Sequence, residues 1–342
     1  MIRKLSLIWI AVCGWMLALL PSCNVHEWPE DAPLVPLYVV LEHETEWDTL
    51  NVAFSRAAAD ESGYHIRYSI RAYPVDELGN YARTATREFV FTREWGQELD
   101  NRFFLELPAG IYRLTAWTDY VKSGVSDTFY DTSGFHEIML QGQHTGNTDC
   151  RDAFRGAEDI LLETGVMELI PDTIVLDMQR PMGKFEFVCT DLQDFIDKEV
   201  RELKQNSADG NQDFDASDIH LEDYRIVISY GGFMPNTFNA LTDKAIDSST
   251  GVQFSSKLSP FSETEASMGF DYVFVNSDES SVIVNLGVFN KQGKQLAKVT
   301  NVNVPLKRDQ HTVLRGKFLM ADSDGGVSIN PDFDGEHNIV IP

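Results

Sequence analysis

The sequence predicts an all-β protein built of antiparallel sandwiches, and three observations predict it. Runs of β-branched and aromatic residues alternate with period two. In residues 64–73, Tyr64, Ile66, Tyr68, Ile70 and Ala72 share one face, while His65, Arg67, Ser69 and Arg71 share the other. That is the pattern of a half-buried strand. Such runs are short and separated by turn residues, among them Pro108-Ala109-Gly110 and Gly231-Gly232, as in a sandwich. Only one segment, residues 192–205, places its apolar residues at helical spacing.

The elements follow in order. Residues 37–43 form a β-rich run ahead of a turn region at Trp47-Asp48. Residues 64–73 are the strand above, residues 74–80 its turn, and residues 87–93 the next strand. Residues 103–107 and 111–119 flank the Pro-Ala-Gly turn. In the second of them Tyr112, Leu114 and Ala116 face one way, and Ile111, Arg113, Thr115 and Trp117 the other. Residues 172–178 and 183–189 are strands around Arg180-Pro181. The helix begins behind Asp191, a residue type that caps helix N-termini. It ends in an acidic, Gly-containing stretch, residues 206–218, which reads as an exposed loop. Strands at 223–230, 272–275, 281–289, 296–300, 311–320 and 337–341 complete the series. The border between domains falls between Glu168 and Arg180, giving bodies at 37–170 and 171–342.

Composition limits what this protein binds. It has 342 residues, 28 Lys+Arg and 53 Asp+Glu, for a formal charge of -25. Length gives a prior of about two domains. Nucleic acid needs clustered cations for its phosphates, so it is excluded as a partner. Docking on an anionic membrane through a basic patch is excluded on the same ground.

The N-terminus has its own chemistry. Arg3 and Lys4 precede an apolar run, residues 5–20, and together they form a signal-peptide pattern. The run closes with Leu20-Pro21-Ser22-Cys23, which resembles the lipobox of bacterial lipoproteins. The resemblance implies cleavage between Ser22 and Cys23, and acyl chains on Cys23. Residues 1–22 are then the signal and residues 23–36 a polar, Pro-containing tether. Cleavage removes two cations and no acid, so the charge of -25 becomes -27. Glu27, Glu30 and Asp31, soon after the lipid Cys, resemble surface-export signals of the Bacteroidales type.

Catalytic and metal patterns are missing from the letters. The eight His are scattered, with no HExxH, and no Ser stands in GxSxG. No cofactor signature, such as a glycine-rich phosphate cradle, is present. Residues 209–218 alternate acids and Asn as a calcium loop does, but Phe214 and His220 stand where that loop needs Gly and Glu. Cys150 and Cys189 remain after processing, and sequence alone does not say whether they pair. Trp28, Trp47, Trp95 and Trp117 are candidates to stack on sugars, although core or interface packing is the commoner role. His65, on the polar face of its strand, reads as a surface histidine.

Five segments, in order, are similar to one family: the fimbrial anchor lipoproteins (FimB/Mfa type) of type V pili. They are residues 107–120 (LPAGIYRLTAWTDY), 151–156 (RDAFRG), 180–187 (RPMGKFEF), and 314–319 (LRGKFL) with 330–338 (NPDFDGEHN). Gly183 stands where the family more often has Ala. The resemblance implies two tandem transthyretin-like β-sandwich domains with one short helix. It implies attachment of the lipid to the outer membrane, at the cell surface. It also implies a structural role with no enzymatic activity: anchoring the pilus base and limiting its length, with fimbrial shaft or accessory subunits bound by strand addition. Residues 338–342 are a candidate pairing segment and equally an ordinary last strand. Two other readings share the lipid: a surface glycan-binding lipoprotein, and a fimbrial tip or stalk subunit. For a tip or stalk subunit, Arg56 would be the candidate cleavage site. A lipid-anchored hydrolase would need a cluster of acid, base or metal ligands, and none is legible.

Overall fold

Alternation builds the first sheet. Leu37, Val39 and Leu41 are fully buried while Leu34, Pro36 and Glu42 face solvent, so β1 (Leu34–His43) has one inward face. The computed structural model describes residues 33–43, 63–94, 101–164, 171–206, 213–276, 279–326 and 336–338. Within these, β1 is the central strand of three. It runs antiparallel to β4 (Arg102–Pro108) and parallel to β9 (Asp172–Met178). The facing sheet has the order β3 (Arg87–Glu94), β2 (Tyr64–Pro74), β5 (Gly110–Lys122), β8 (Ala153–Leu162). Between them lies one core, in which Leu37, Val39, Leu105, Ile70, Leu114 and Ala116 are all fully buried.

A second sandwich follows. One sheet has the order β15 (Ser259–Pro260), β16 (Ala266–Phe274), β10 (Met182–Cys189), β19 (His311–Gly316), β21 (Glu336–Asn338). The other has β14 (Gln253–Lys257), β11 (Arg225–Tyr230), β17 (Glu279–Phe289), β18 (Gln295–Lys307), β20 (Asp322–Gly326). Phe185, Phe187, Ile226, Ile228, Val284 and Val302 fill its core. The helix α1 (Leu192–Asn206) adds Leu192 and Phe195 to that core. The predicted fold class, all-β sandwich domains with a short helix, is the observed one.

Four features differ from expectation, each for a physical reason. The division drawn at residue 171 moves on strand pairing. β9 completes the first sandwich, pointing Leu176 and Met178 into its core, and the change of partner falls between Met178 and Met182. The polar face of β2 is not solvated. Arg67, Ser69 and Arg71 are buried, because the connection between β5 and β8 folds over them. Several strands escape sequence reading: β8, whose apolar alternation breaks at Gly156, and the short hairpins described next. Finally, the Asp191 carboxylate accepts from the backbone amides of Leu319 and Met320, tying the chain after β19 to the start of the helix.

Candidate functional site

Each sandwich extends one hairpin, and the two hairpins pair. β6 (Tyr130–Asp131) and β7 (Ile138–Leu140) lie in the connection from β5 to β8; β12 (Met234–Asn239) and β13 (Lys244–Ser249) lie between β11 and β14. They form one four-stranded sheet in the order β13, β12, β7, β6, joined where Thr237 meets Met139 and Phe238 meets Ile138. The sequence gives little sign of this, because β12 reads Met-Pro-Asn-Thr-Phe-Asn with no alternation. Its strand character comes from the partner.

Under this shared sheet lies a third apolar cluster with members from both halves. Trp117, Tyr130, Phe135 and Ile138 of the first meet Met182, Phe238, Tyr272 and Phe274 of the second. Phe238 stacks on Phe274 at 5.2 Å between centroids, and Trp117 meets Tyr130 edge-on at 5.5 Å. Each such pair contributes about 0.5–1.5 kcal/mol beyond its buried area. Trp117 is fully buried here, which corrects its candidacy for stacking on sugars.

Buried charges pair across the same junction. A 3-10 turn at Asp149–Arg151, opened by the Thr148 side chain accepting from the Cys150 amide, aims Arg151 at the second sandwich. Its Nη1 donates to Asp271 at 2.5 Å. Asp271 also accepts from the Tyr230 hydroxyl at 2.6 Å and meets His144 Nε2 at 2.6 Å. Burial raises the Asp271 carboxyl, but Arg151 and the other donors outweigh it and hold it below the usual range. Lys184 Nζ and the Tyr272 hydroxyl both reach Asp149, at 2.7 and 2.8 Å. Arg180 donates to Asp152 at 2.9 Å and also pairs with Asp309. Burial pushes Asp152 up to about 6, despite Arg180. Arg155 donates to the Ala240 carbonyl at 2.7 Å across the junction, while Arg308 pairs with Asp243 at 2.7 Å within the second half.

Separate domains are expected to move relative to one another unless their interface is large and apolar. A continuous sheet, an aromatic cluster and buried ion pairs remove that freedom here. Breaking a buried pair by removing one partner costs about 3–5 kcal/mol. Arg151, Asp152 and Arg155 come from the segment 151–156, and Arg180, Met182 and Lys184 from 180–187. Two of the segments quoted from the sequence, 151–156 and 180–187, therefore supply contacts that join the sandwiches.

Other sites from the sequence fall as follows. Ser22 and Cys23 lie outside the described residues, as do Trp28, Trp47, Arg56, Trp95 and residues 339–342. Cys150 and Cys189 are buried in the first and second sandwich core respectively. They form no disulfide. Burial pushes the Cys189 thiol up to about 12. Among the described residues, no three His, Cys, Asp or Glu gather as metal ligands. In the calcium-like stretch, the Asp215 and Asp218 side chains accept backbone hydrogen bonds of a short 3-10 turn, and residues 209–212 lie outside the described residues. His65 is half-buried, with its Nε2 2.6 Å from the Ser123 hydroxyl. No helix among the described residues is long and apolar enough to cross a membrane.

A family model described as a family of unknown function, DUF6562, matches residues 34–342. No curated protein matches. Solved structures similar to this chain include a putative cell adhesion protein from Bacteroides ovatus, at TM-score 0.42 and 13% identity, covering 85% of this chain and 94% of that one. A putative polysaccharide binding protein from Bacteroides thetaiotaomicron has TM-score 0.39 and 14% identity, covering 78% and 80%. The fimbrial anchor protein Mfa2 from Porphyromonas gingivalis has TM-score 0.39 and 12% identity, covering 78% and 82%.

Proposed function

The chain belongs to the family of unknown function DUF6562, and we propose that it is a lipid-anchored structural component of surface fimbriae. In this reading Cys23 carries the lipid in the outer membrane, residues 23–36 act as the tether, and the two sandwiches hold the base of a pilus and limit its length. Shaft or accessory subunits bind by adding a strand to an open sheet edge, where main-chain hydrogen bonds supply the strength. The chain itself performs no chemistry.

The observation that carries the reading is the lipobox-like Leu20-Pro21-Ser22-Cys23 ahead of two sandwiches locked by a shared sheet. An anchor has to pass a pull on a polymer into a membrane. A hinge between its two halves would absorb that pull, and the paired hairpins and buried ion pairs oppose such a hinge. The ordered family-like segments point to the same role.

Deletion of the gene tests it. Fibres are expected in the medium, or on cells at abnormal length, by electron microscopy and by immunoblot of cell and medium fractions. Cell-bound fibres of unchanged length would overturn the reading. Mass spectrometry of purified surface fibres identifies the partners and the N-terminus of this chain; a free, unacylated Cys23 would remove the lipid from the account.

A further inference from the structure

The outer face of a sandwich sheet is normally polar, because it meets water. The outer face of the β4-β1-β9 sheet is not. Along β1 it carries Leu34, Pro36, Tyr38 and Val40. Register sets Phe104 of β4 opposite Tyr38 and Val175 of β9 opposite Val40. Leu34, Phe104 and Val175 are 46%, 51% and 43% exposed. Tyr38 and Phe104 meet edge-on at 5.5 Å, and the Arg102 guanidinium lies 3.9 Å over the Tyr38 ring. The result is one apolar stripe across three strands. Its rim holds Arg102 on one side and Glu42, Glu106 and Asp177 on the others.

What covers this stripe follows from its place in the chain. β1 begins at Leu34, eleven positions after Cys23. Fully extended, that linker spans at most about 35–40 Å; as a flexible coil its ends lie about 20 Å apart. An acylated Cys23 therefore holds this sheet beside the bilayer. Aromatic and aliphatic side chains with an Arg at their edge suit the headgroup boundary, where the rings lie at the interface and the cation reaches water. The acidic rim excludes attraction to anionic lipid, so apolar burial has to supply the binding.

We propose that the outer face of the β4-β1-β9 sheet docks on the surface of the bilayer that holds the Cys23 lipid. The inference rests on the lipid attachment proposed above. It sets the long axis of the tandem sandwiches by a surface contact as well as by a tether.

The test uses the full lipidated chain in phosphatidylcholine vesicles that contain headgroup-nitroxide lipid. A fluorophore is placed by Val175→Cys on the stripe or by Val90→Cys on β3, which is 53% exposed in the opposite sheet. Cys150 and Cys189 are buried and do not compete for label. Quenching at 175 is expected to exceed that at 90 by roughly threefold or more, because a docked face sits ~5–10 Å into the boundary. It is expected to be insensitive to salt and to fall when Phe104→Ser is added. Equal quenching in a chain that floats with the vesicles overturns the docked face and leaves the lipid anchor standing. So does salt-sensitive quenching, or shielding of position 175 that rises with protein concentration without vesicles, which would mean a second copy covers the stripe. A chain that does not float overturns the anchor and this inference together.

Discussion

Arg151 Nη1 donates to Asp271 Oδ1 at 2.5 Å, across 120 positions of sequence and from one sandwich to the other, with both side chains buried. Neither half can satisfy its charge alone. The first sandwich would carry a buried guanidinium, and the second a buried carboxylate left with the Tyr230 hydroxyl, since His144 reaches it from the first half. The pair is thus a condition for the two halves to exist in this arrangement.

Replacing Arg151 by Met should therefore cost about 3–5 kcal/mol, because Asp271 is left buried without its counter-charge. Asp271→Asn in the same chain should recover much of the loss, since the stranded charge is gone. Urea unfolding of the two single variants and the double variant measures this as a coupling energy. Additive losses would show that the pair does not join the halves.

Asp152 gives a pH signature of the same junction. Its folded pKa is about 6 against an ordinary value of 3.8. The folded state therefore binds more protons than the unfolded state between these values, and its contribution to stability falls as pH rises through that window. The loss is on the order of 3 kcal/mol by pH 7. Asp271 has a lowered pKa and acts in the opposite sense, losing stability as pH falls. Asp152→Asn should change stability little at pH 4, where the folded Asp152 carboxyl is already uncharged like the amide, and should gain on the parent as pH rises to 7. Urea midpoints across pH 4–7 give the difference; a variant that loses ground to the parent toward pH 7 would refute the assignment.

These relationships show what sequence could and could not reveal. β2 was legible because period two needs no partner: Tyr68, Ile70 and Ala72 point into the core as their spacing requires. The burial of Arg67 and Arg71 opposite them was not legible. Their cover is Ser126, Asp127 and Ser133, about 60 positions away. The hairpin β12–β13 was silent because its pattern is set by β7 rather than by its own residues. The parallel pairing of β9 with β1 was silent because it is non-local, and a strand's own letters do not choose its sheet. Segments 151–156 and 180–187 stood out as an ordered set, yet their role lay in partners such as Asp271 and Asp309, which no local pattern names.

The two remaining thiols offer a simple check on the cores. Cys150 and Cys189 are buried in separate sandwiches, with no disulfide between them. Burial also disfavours the reactive thiolate of Cys189. In the processed protein, both should resist a thiol reagent under native conditions and react together on unfolding. Mass shifts before and after denaturant count them. Rapid labelling of either in the folded chain, or a mass deficit from a disulfide between them, would contradict the packing.

Gly183 tests the fit of β10 against its neighbours. A Cβ added there would lie 2.7 Å from the Lys307 carbonyl oxygen and 3.4 Å from the Leu306 Cβ. The obstacle is backbone, and backbone cannot rotate away. It belongs to β18, at the end where the chain turns toward Asp309, the partner of Arg180. Here β18 approaches β10 more closely than a Cβ at this position would allow. Gly183→Ala should cost about 1–3 kcal/mol, the range for overpacking a well-packed interior. Any shift of the 307–309 backbone should also loosen Arg180 from Asp309 while Asp152 keeps its contact. Urea unfolding gives the energy. Repeating it with Asp309→Ala shows whether the two losses overlap, as they must if β18 moves. A Gly183→Ala chain as stable as the parent would mean that β18 lies farther from β10 than these contacts state.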